Sequence, residues 1–249
     1  DWGHCVGSGM QSHEYLAKAG AWSAKRKTLS DRSALYTVHD IEFCMSRKKA
    51  LNMFDENDIQ ANLAHFTFTV IMEDLFFHLL NGCTVHILSD EVRKNVELIS
   101  NYYEEHNITC GYLPPTVLKI FKSKSNTLKT ILTGSERVSN TYLENICLTN
   151  NYGMSETMGA VLCFVIDKKY ENTPIGKPEK GVEVKILDSD LKEVKKGECG
   201  EICIIGDFRT TYFKDEKRTK ETFIKLDEHK VMVRTGDIGF FDEDNNVIY

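Results

Sequence analysis

Between residues 84 and 133 the chain twice runs through one pattern, a short β-branched run and then a helical one, and starts a third strand. Thr84-Val85-His86-Ile87-Leu88 reads as a strand, and Ser89 is placed to cap the helix after it. That helix sets Val92, Val96, Ile99 and Tyr103 on one face. Residues 108–113 form the next strand, stopped by Pro114-Pro115, which cannot donate to a ladder. A short helix over 117–121 and a third strand over 128–133 follow. Strands separated by helices of this length imply right-handed crossovers and a parallel sheet. In such sheets ligands sit beyond the carboxyl ends of the strands.

The flanks extend the pattern and then change it. Residues 1–35 mix glycine, serine and lysine without periodicity, and Lys25-Arg26-Lys27 reads as a solvated basic run. Residues 40–52 carry Ile41, Cys44, Met45, Ala50 and Leu51 at helical spacing, and Asp55-Glu56-Asn57-Asp58 is a polar turn. Residues 64–70 are aromatic and β-branched, which predicts a strand end, and 71–80 predict a buried helix closed by Asn81-Gly82. Beyond residue 164 the helices thin out. Val182, Val184 and Ile186 alternate with charged residues, 201–205 form a strand, and 242–246 are a hairpin turn between two more. The expectation is an α/β fold: a parallel sheet flanked by helices over 1–164, then a mostly antiparallel β-subdomain over 165–249. The last residues stop inside a strand pattern, as expected of a piece of something longer.

Bulk properties exclude several functions. A net charge of −6 gives no global field for nucleic acid. No apolar run approaches the length that spans a bilayer, and the first ten residues lack the basic and apolar regions of a secretory signal. The eight cysteines are scattered without a CxxC, and Cys199 and Cys203 alone have a spacing that could share a strand face. Reduced, buried thiols in a cytoplasmic protein are the expectation. No G-x-G-x-x-G follows a strand, which argues against a dinucleotide site.

Chemistry concentrates between Leu132 and Ala160. Gly134-Ser135 and Gly153 each interrupt an apolar run, and residues 139–146 between them have a helix-like pattern. Ser155, Glu156 and Thr157 follow Gly153. Backbone N–H groups, hydroxyls and one acid in a single turn can hold a phosphate and its Mg2+; the same residues also fit an ordinary loop with a helix cap.

FTFTVIMED, LLNGC, LPPT, LTGSE, NNYGMSE, GECGEICIIG and VRTGD stand along the chain in this order, and together they resemble the motifs of adenylate-forming enzymes, most closely the adenylation domains of nonribosomal peptide synthetases, with acyl-CoA synthetases as relatives. NNYGMSE resembles N-x-Y-G-x-T-E, GECGEICIIG resembles G-E-L-x-I-x-G, and VRTGD resembles Y-R/K-T-G-D. FTFTVIMED with LLNGC, LPPT and LTGSE fit the spacing between them. The resemblance implies ATP-dependent activation of a carboxylic or amino acid as acyl-AMP, for transfer to a carrier-protein or CoA thiol, with Mg2+ as cofactor. It places Tyr152 on adenine, Asn150 at its amino group, Ser155 at the α-phosphate, Glu156 on Mg2+ and Asp237 at the ribose, with Gly134 and Gly153 beside the nucleotide. It lines the acid pocket with Thr69, Val70, Glu73, Tyr112, Leu132, Gly134, Asn151, Gly159 and Ala160. Amino-acid-activating relatives usually have an aspartate at the Thr69 position to pair with the α-ammonium. A neutral threonine implies either an acid without an α-amine, the preferred reading, or a charge supplied by Glu73.

The sequence departs from the pattern in two places. The family's glycine-rich phosphate loop falls on AKRKTLSDRS, residues 24–33, which has no glycine. The small C-terminal domain with the catalytic lysine is expected to be absent. An acid-activating ligase segment is therefore weighed against a non-catalytic remnant or interaction module that keeps the fold, whose partners would be carrier or other synthetase domains.

Overall fold

The computed structural model describes Ala17–Ala19 and residues 34–249, except Thr67. The lysine-rich segment at 24–33 lies outside the described residues.

A seven-stranded sheet carries the first half. Its strands are β3 (Ile59–Asn62), β4 (Thr84–Ile87), β5 (Cys110–Tyr112), β6 (Thr130–Gly134), β7 (Cys147–Met154), β8 (Gly159–Ile166) and β9 (Lys177–Pro178), in the order β4-β3-β5-β6-β7-β8-β9. From β4 to β7 all pairs are parallel, as expected; β8 and β9 are antiparallel. β9 lies beyond residue 164 yet completes this sheet. Because β4 and β5 flank β3 on opposite sides, the winding reverses at β3 and opens a crevice past the carboxyl ends of β3 and β5. Ile99, Tyr103, Ile108, Leu113, Ile131 and Leu148 are fully buried in one core cluster, which joins the sheet to the helices covering it.

Two antiparallel sheets complete the fold. One runs β10 (Glu183–Leu187), β11 (Gly200–Gly206), β14 (Val231–Phe241), β13 (Phe223–Lys225), with β15 (Val247–Ile248) also on β14. The other joins β1 (Ala17–Ala19) and β2 (Ala34–Tyr36) to β12 (Thr211–Tyr212). Helix α1 (Val38–Ala50) begins at a Thr37–Asp40 capping box and bears Arg47, Lys48 and Lys49 in its last turn. α6 (Glu216–Thr222) is capped by Asp215. Among the described residues no helix is long and apolar enough to cross a membrane.

Local readings failed where turns displaced regular structure. Residues 64–66 and 68–70 form turns and bends, with Phe68 N–H donating to His65 O and Ile71 N–H to Phe68 O; the strand is β3, just before them. They lead into a π-helical segment, Met72–Phe77, continued by α2 (His78–Leu80). Residues 139–146 contain no helix: Asn140 and Asn145 are left-handed (φ 50° and 60°), which breaks any regular turn, while Leu143 and Ile146 pack against the core. The helix after Ser89 is broken at Lys94. Ser89 caps α3 (Asp90–Arg93), and Asn95 accepts from Glu97 and Leu98 N–H to start α4 (Val96–Glu105). After Pro114 only one short helix forms, α5 (Pro115–Leu118). Cys199 is exposed and precedes β11, whereas Cys203 is buried within it, so the two do not form a paired face.

Candidate active site

β7 and β8 are an antiparallel hairpin joined by the single 3-10 turn Ser155–Thr157. Gly153 does not break the chain. It continues β7 at a register slip after Tyr152, and a Cβ there would collide with the Gly159 carbonyl and Ala160 Cα. Close approach, not a turn, requires this glycine. Gly134 ends β6 and Ser135 turns left-handed at φ 66°.

Within the turn the three polar residues diverge. Thr157 is buried and its hydroxyl serves the hairpin itself, donating to Gly159 O at 2.9 Å, so it is not offered to a ligand. Ser155 Oγ lies 2.9 Å from Thr69 Oγ1, and its carbonyl accepts from Tyr36 OH at 2.6 Å. Glu156 Oε1 accepts from Tyr212 OH at 2.5 Å. Burial, then the hydrogen bond to Glu156, pushes the Tyr212 phenol up to about 12, so it stays a donor.

Two cavities meet at this hairpin. The first, of about 180 Å3, is lined by Thr69, Val70 and Glu73 from the turn and π-segment, and by Tyr112 of β5. Leu132 and Gly134 of β6, Asn151 of β7, and Gly159 and Ala160 of β8 complete the set assigned to the acid; all nine share this one cavity. Phe68, Asp74, Met154 and Ser155 also line it. The second, of about 460 Å3, holds Asn150, Tyr152 and Asp237, with Arg137, Asn172 and Tyr249. Ser135, Asn151 and Gly153 line both.

The second cavity's members are already engaged with one another. Tyr152 OH donates to Asp237 Oδ2 at 2.6 Å, and burial followed by this bond holds its phenol well above the usual range. Tyr249 lies beside the Tyr152 ring, centroids 6.0 Å apart. Asn150 is buried and its amide donates to Pro174 O at 2.9 Å. Asn150 and Asp237 sit within strands β7 and β14, not in loops.

Under the first cavity lies a buried charge cluster that the sequence did not disclose. Lys48 Nζ is 3.3 Å from Glu73 Oε2 and 2.5 Å from Glu179 Oε1, and Arg47 Nε is 3.4 Å from Glu179 Oε2. Burial works against the Lys48 ammonium, but the two carboxylates outweigh it and its pKa is raised. Glu73 Oε1 also accepts from Ala160 N–H at 2.5 Å. Gly159, left-handed at φ 94°, permits that contact, since a Cβ there would strike Glu73 Oε1. Tyr36, Tyr212, Lys48 and Glu179 were all missed. Each acts on a residue more than a hundred positions away or, for Tyr212, 56 away, beyond any periodic signal.

The described residues suit a magnesium nucleotide. Mg2+ uses one or two carboxylates plus phosphate oxygens, and Glu156, held by Tyr212, is one such carboxylate; it follows Ser155, which lines the first cavity, on the hairpin turn.

Known proteins share this architecture. The sequence matches the family described as AMP-binding enzyme over residues 25–211. Bacitracin synthase 1 of Bacillus licheniformis is 35% identical over 196 residues, 77% of this chain and 4% of that protein. Tyrocidine synthase 3 of Brevibacillus parabrevis is 28% identical over 200 residues, 74% of this chain and 3% of that protein. The chain thus spans only a few per cent of these curated relatives. The crystal structure of CmiS6 superposes with a TM-score of 0.78 at 18% identity, covering 88% of this chain and 58% of that one. The anthranilate CoA ligase AuaEII in complex with anthranoyl-AMP gives 0.74 at 19% identity, covering 87% and 44%. The match takes in the residues that line the first cavity and the whole β7–β8 hairpin, and this chain therefore belongs to the AMP-binding enzyme family.

Proposed function

We propose that the chain provides the acid- and nucleotide-binding region of an adenylate-forming ligase. The observation that carries this reading is the meeting of the two cavities at Ser135, Asn151 and Gly153, with Ser155 and Glu156 on the same hairpin. A carboxylate in the first cavity would attack the α-phosphorus of ATP held in the second. The new C–O–P linkage forms as the bond to pyrophosphate breaks, and the acyl-AMP then passes to a thiol of a carrier protein or CoA, releasing AMP.

The chain's residues divide this work. Tyr152 offers a ring face to adenine. The Asn150 amide N–H is committed to Pro174, which leaves its carbonyl oxygen to accept from the adenine amino group. Asp237 accepts from the ribose hydroxyls, in exchange for the Tyr152 hydroxyl it now holds. Ser155 donates to the α-phosphate. Mg2+ on Glu156 would neutralise charge as pyrophosphate departs. A cytoplasmic setting, where ATP is abundant, fits this reading.

A second reading, a non-catalytic module that keeps the fold, is favoured by the glycine-free sequence at 24–33. Calorimetric titration with Mg·ATP and a non-hydrolysable acyl-adenylate analogue separates them. The ligase reading expects both to bind, and Glu156→Ala to lose Mg·ATP binding with its fold intact. Binding of neither by folded protein supports the second reading, and unchanged Mg·ATP binding in the variant removes Glu156 from the metal site.

A further inference from the structure

The acid cavity has two carboxylates in its wall, Glu73 and Asp74, and both are fully engaged. Glu73 accepts from Ala160 N–H through one oxygen and faces Lys48 with the other. Lys48, Arg47, Glu73 and Glu179 together are two cations and two anions, a neutral cluster with no charge left for a ligand. Asp74 accepts from the Gln60 side-chain amide through one oxygen, and from Asn62 Nδ2 (2.7 Å) and Ala64 N–H (3.4 Å) through the other. Burial pushes its carboxyl up to about 7, so it is a weak counter-ion near neutrality. A ligand ammonium entering here would lose its water and find no free anion in this cavity's described lining, which is costly.

The wall opens in one direction onto apolar surface. A neighbouring cavity of about 330 Å3 shares Phe68, Val70 and Tyr112 with the first, and adds Leu63, Ala64 and Pro114. It lies past the carboxyl ends of β3 and β5, where the winding of the sheet reverses. Its ionisable members, His65 and Glu136, are exposed. Tyr112 stands between the two spaces with its hydroxyl fixed 3.1 Å from both Gly134 O and Ser135 Oγ. A cavity of about 150 Å3 holds one benzene ring, so the first cavity, at about 180 Å3, is filled by little more than that. A longer substrate must continue past Phe68 and Tyr112.

We propose that the substrate acid carries no ammonium group and ends in an apolar aryl or alkyl tail that reaches the cavity beyond Tyr112. This rests on the first cavity being the acid site.

Three probes test it by calorimetry: 5′-sulfamoyladenosine, its N-(3-phenylpropanoyl) derivative and its N-(L-phenylalanyl) derivative. The last two differ only in the α-amine. The phenylpropanoyl compound is expected to bind about ten-fold or more tightly than the phenylalanyl compound, and more tightly than the unacylated nucleoside. Thr69→Asp, which adds a carboxylate to the cavity wall, is expected to narrow or reverse that ratio; the wild-type ratio decides alone if the variant does not fold. Equal or tighter binding of the phenylalanyl compound overturns the proposal. So does unacylated sulfamoyladenosine binding as well as both acylated forms, a result that leaves the nucleotide site standing. Failure of all three to bind overturns the adenylate-forming reading itself, and the proposal with it.

Discussion

Two residues absent from every sequence motif hold the two most exacting positions of the site. Tyr212 donates to Glu156, and Lys48 joins Glu73 to Glu179. Hydrogen bonds to charged groups are worth about 1.5–3 kcal/mol, so Tyr212→Phe should weaken Mg·ATP binding about ten-fold or more. Tyr212 is half-buried, so the thermal midpoint should move little; calorimetry and a melting curve on the same sample check both. Lys48→Met leaves Glu179 paired with Arg47 alone and takes from Glu73 the cation it faces. Breaking a buried pair costs about 3–5 kcal/mol, and a urea titration should show a loss of that order. That nine residues scattered from Thr69 to Ala160 line one cavity was legible because the family resemblance placed them together through the order and spacing of its motifs. Arg47 and Lys48 were not, because nothing local distinguishes a buried cation from a solvated one: its burial depends on Glu179, 131 positions from Lys48.

Among the elements, the β7–β8 hairpin contributes most to the site. It brings Asn150 to Gly153 up one side, Ser155 and Glu156 across the top, and Gly159 and Ala160 down the other, so β7 lines both cavities and β8 the first. Gly159→Ala tests how tightly that pair is built. The new methyl meets the Glu73 carboxylate at a backbone angle that L-residues rarely adopt. A stability loss of about 1–3 kcal/mol is expected, together with weakened binding of acyl-adenylate analogues beyond any change in binding of adenosine. The βαβ repeat and the later hairpins were readable because period and turn chemistry agree within each. Residues 139–146 were misread since Leu143 and Ile146 reach the core from irregular backbone, which mimics a helical stripe. Residues 64–70 were misread since Phe66 and Phe68, which suit a strand by composition, are largely exposed on turns.

At the scale of the whole molecule, stability should depend on pH through Asp74. Burial, only partly offset by its hydrogen bonds from Asn62, Ala64 and Gln60, raises its carboxyl from 3.8 to about 7. The folded state therefore holds a proton that the unfolded chain releases. The stabilisation is complete below about pH 4 and is lost as pH rises through about 7, over a span on the order of a few kcal/mol. Asp74→Asn cannot titrate, and its amide can donate to the otherwise unpartnered Gln60 Oε1. Urea midpoints at pH 4.5 and 8 should fall for the wild type and stay level for the variant.

The Tyr212–Glu156 bond also sets a sequence of events during synthesis. Every lining residue of the acid cavity has been made once Ala160 is joined, but the tyrosine that steadies Glu156 comes about fifty residues later. At a ribosomal pace of roughly 5–20 residues per second, a nascent chain spends several seconds with the cavity's lining residues made and the Glu156 carboxylate unsupported. The strand that delivers Tyr212 must then pair with β2, which is made well before it. The support of Glu156 is thus acquired after the cavity's lining, when β12 returns to a strand made well before it.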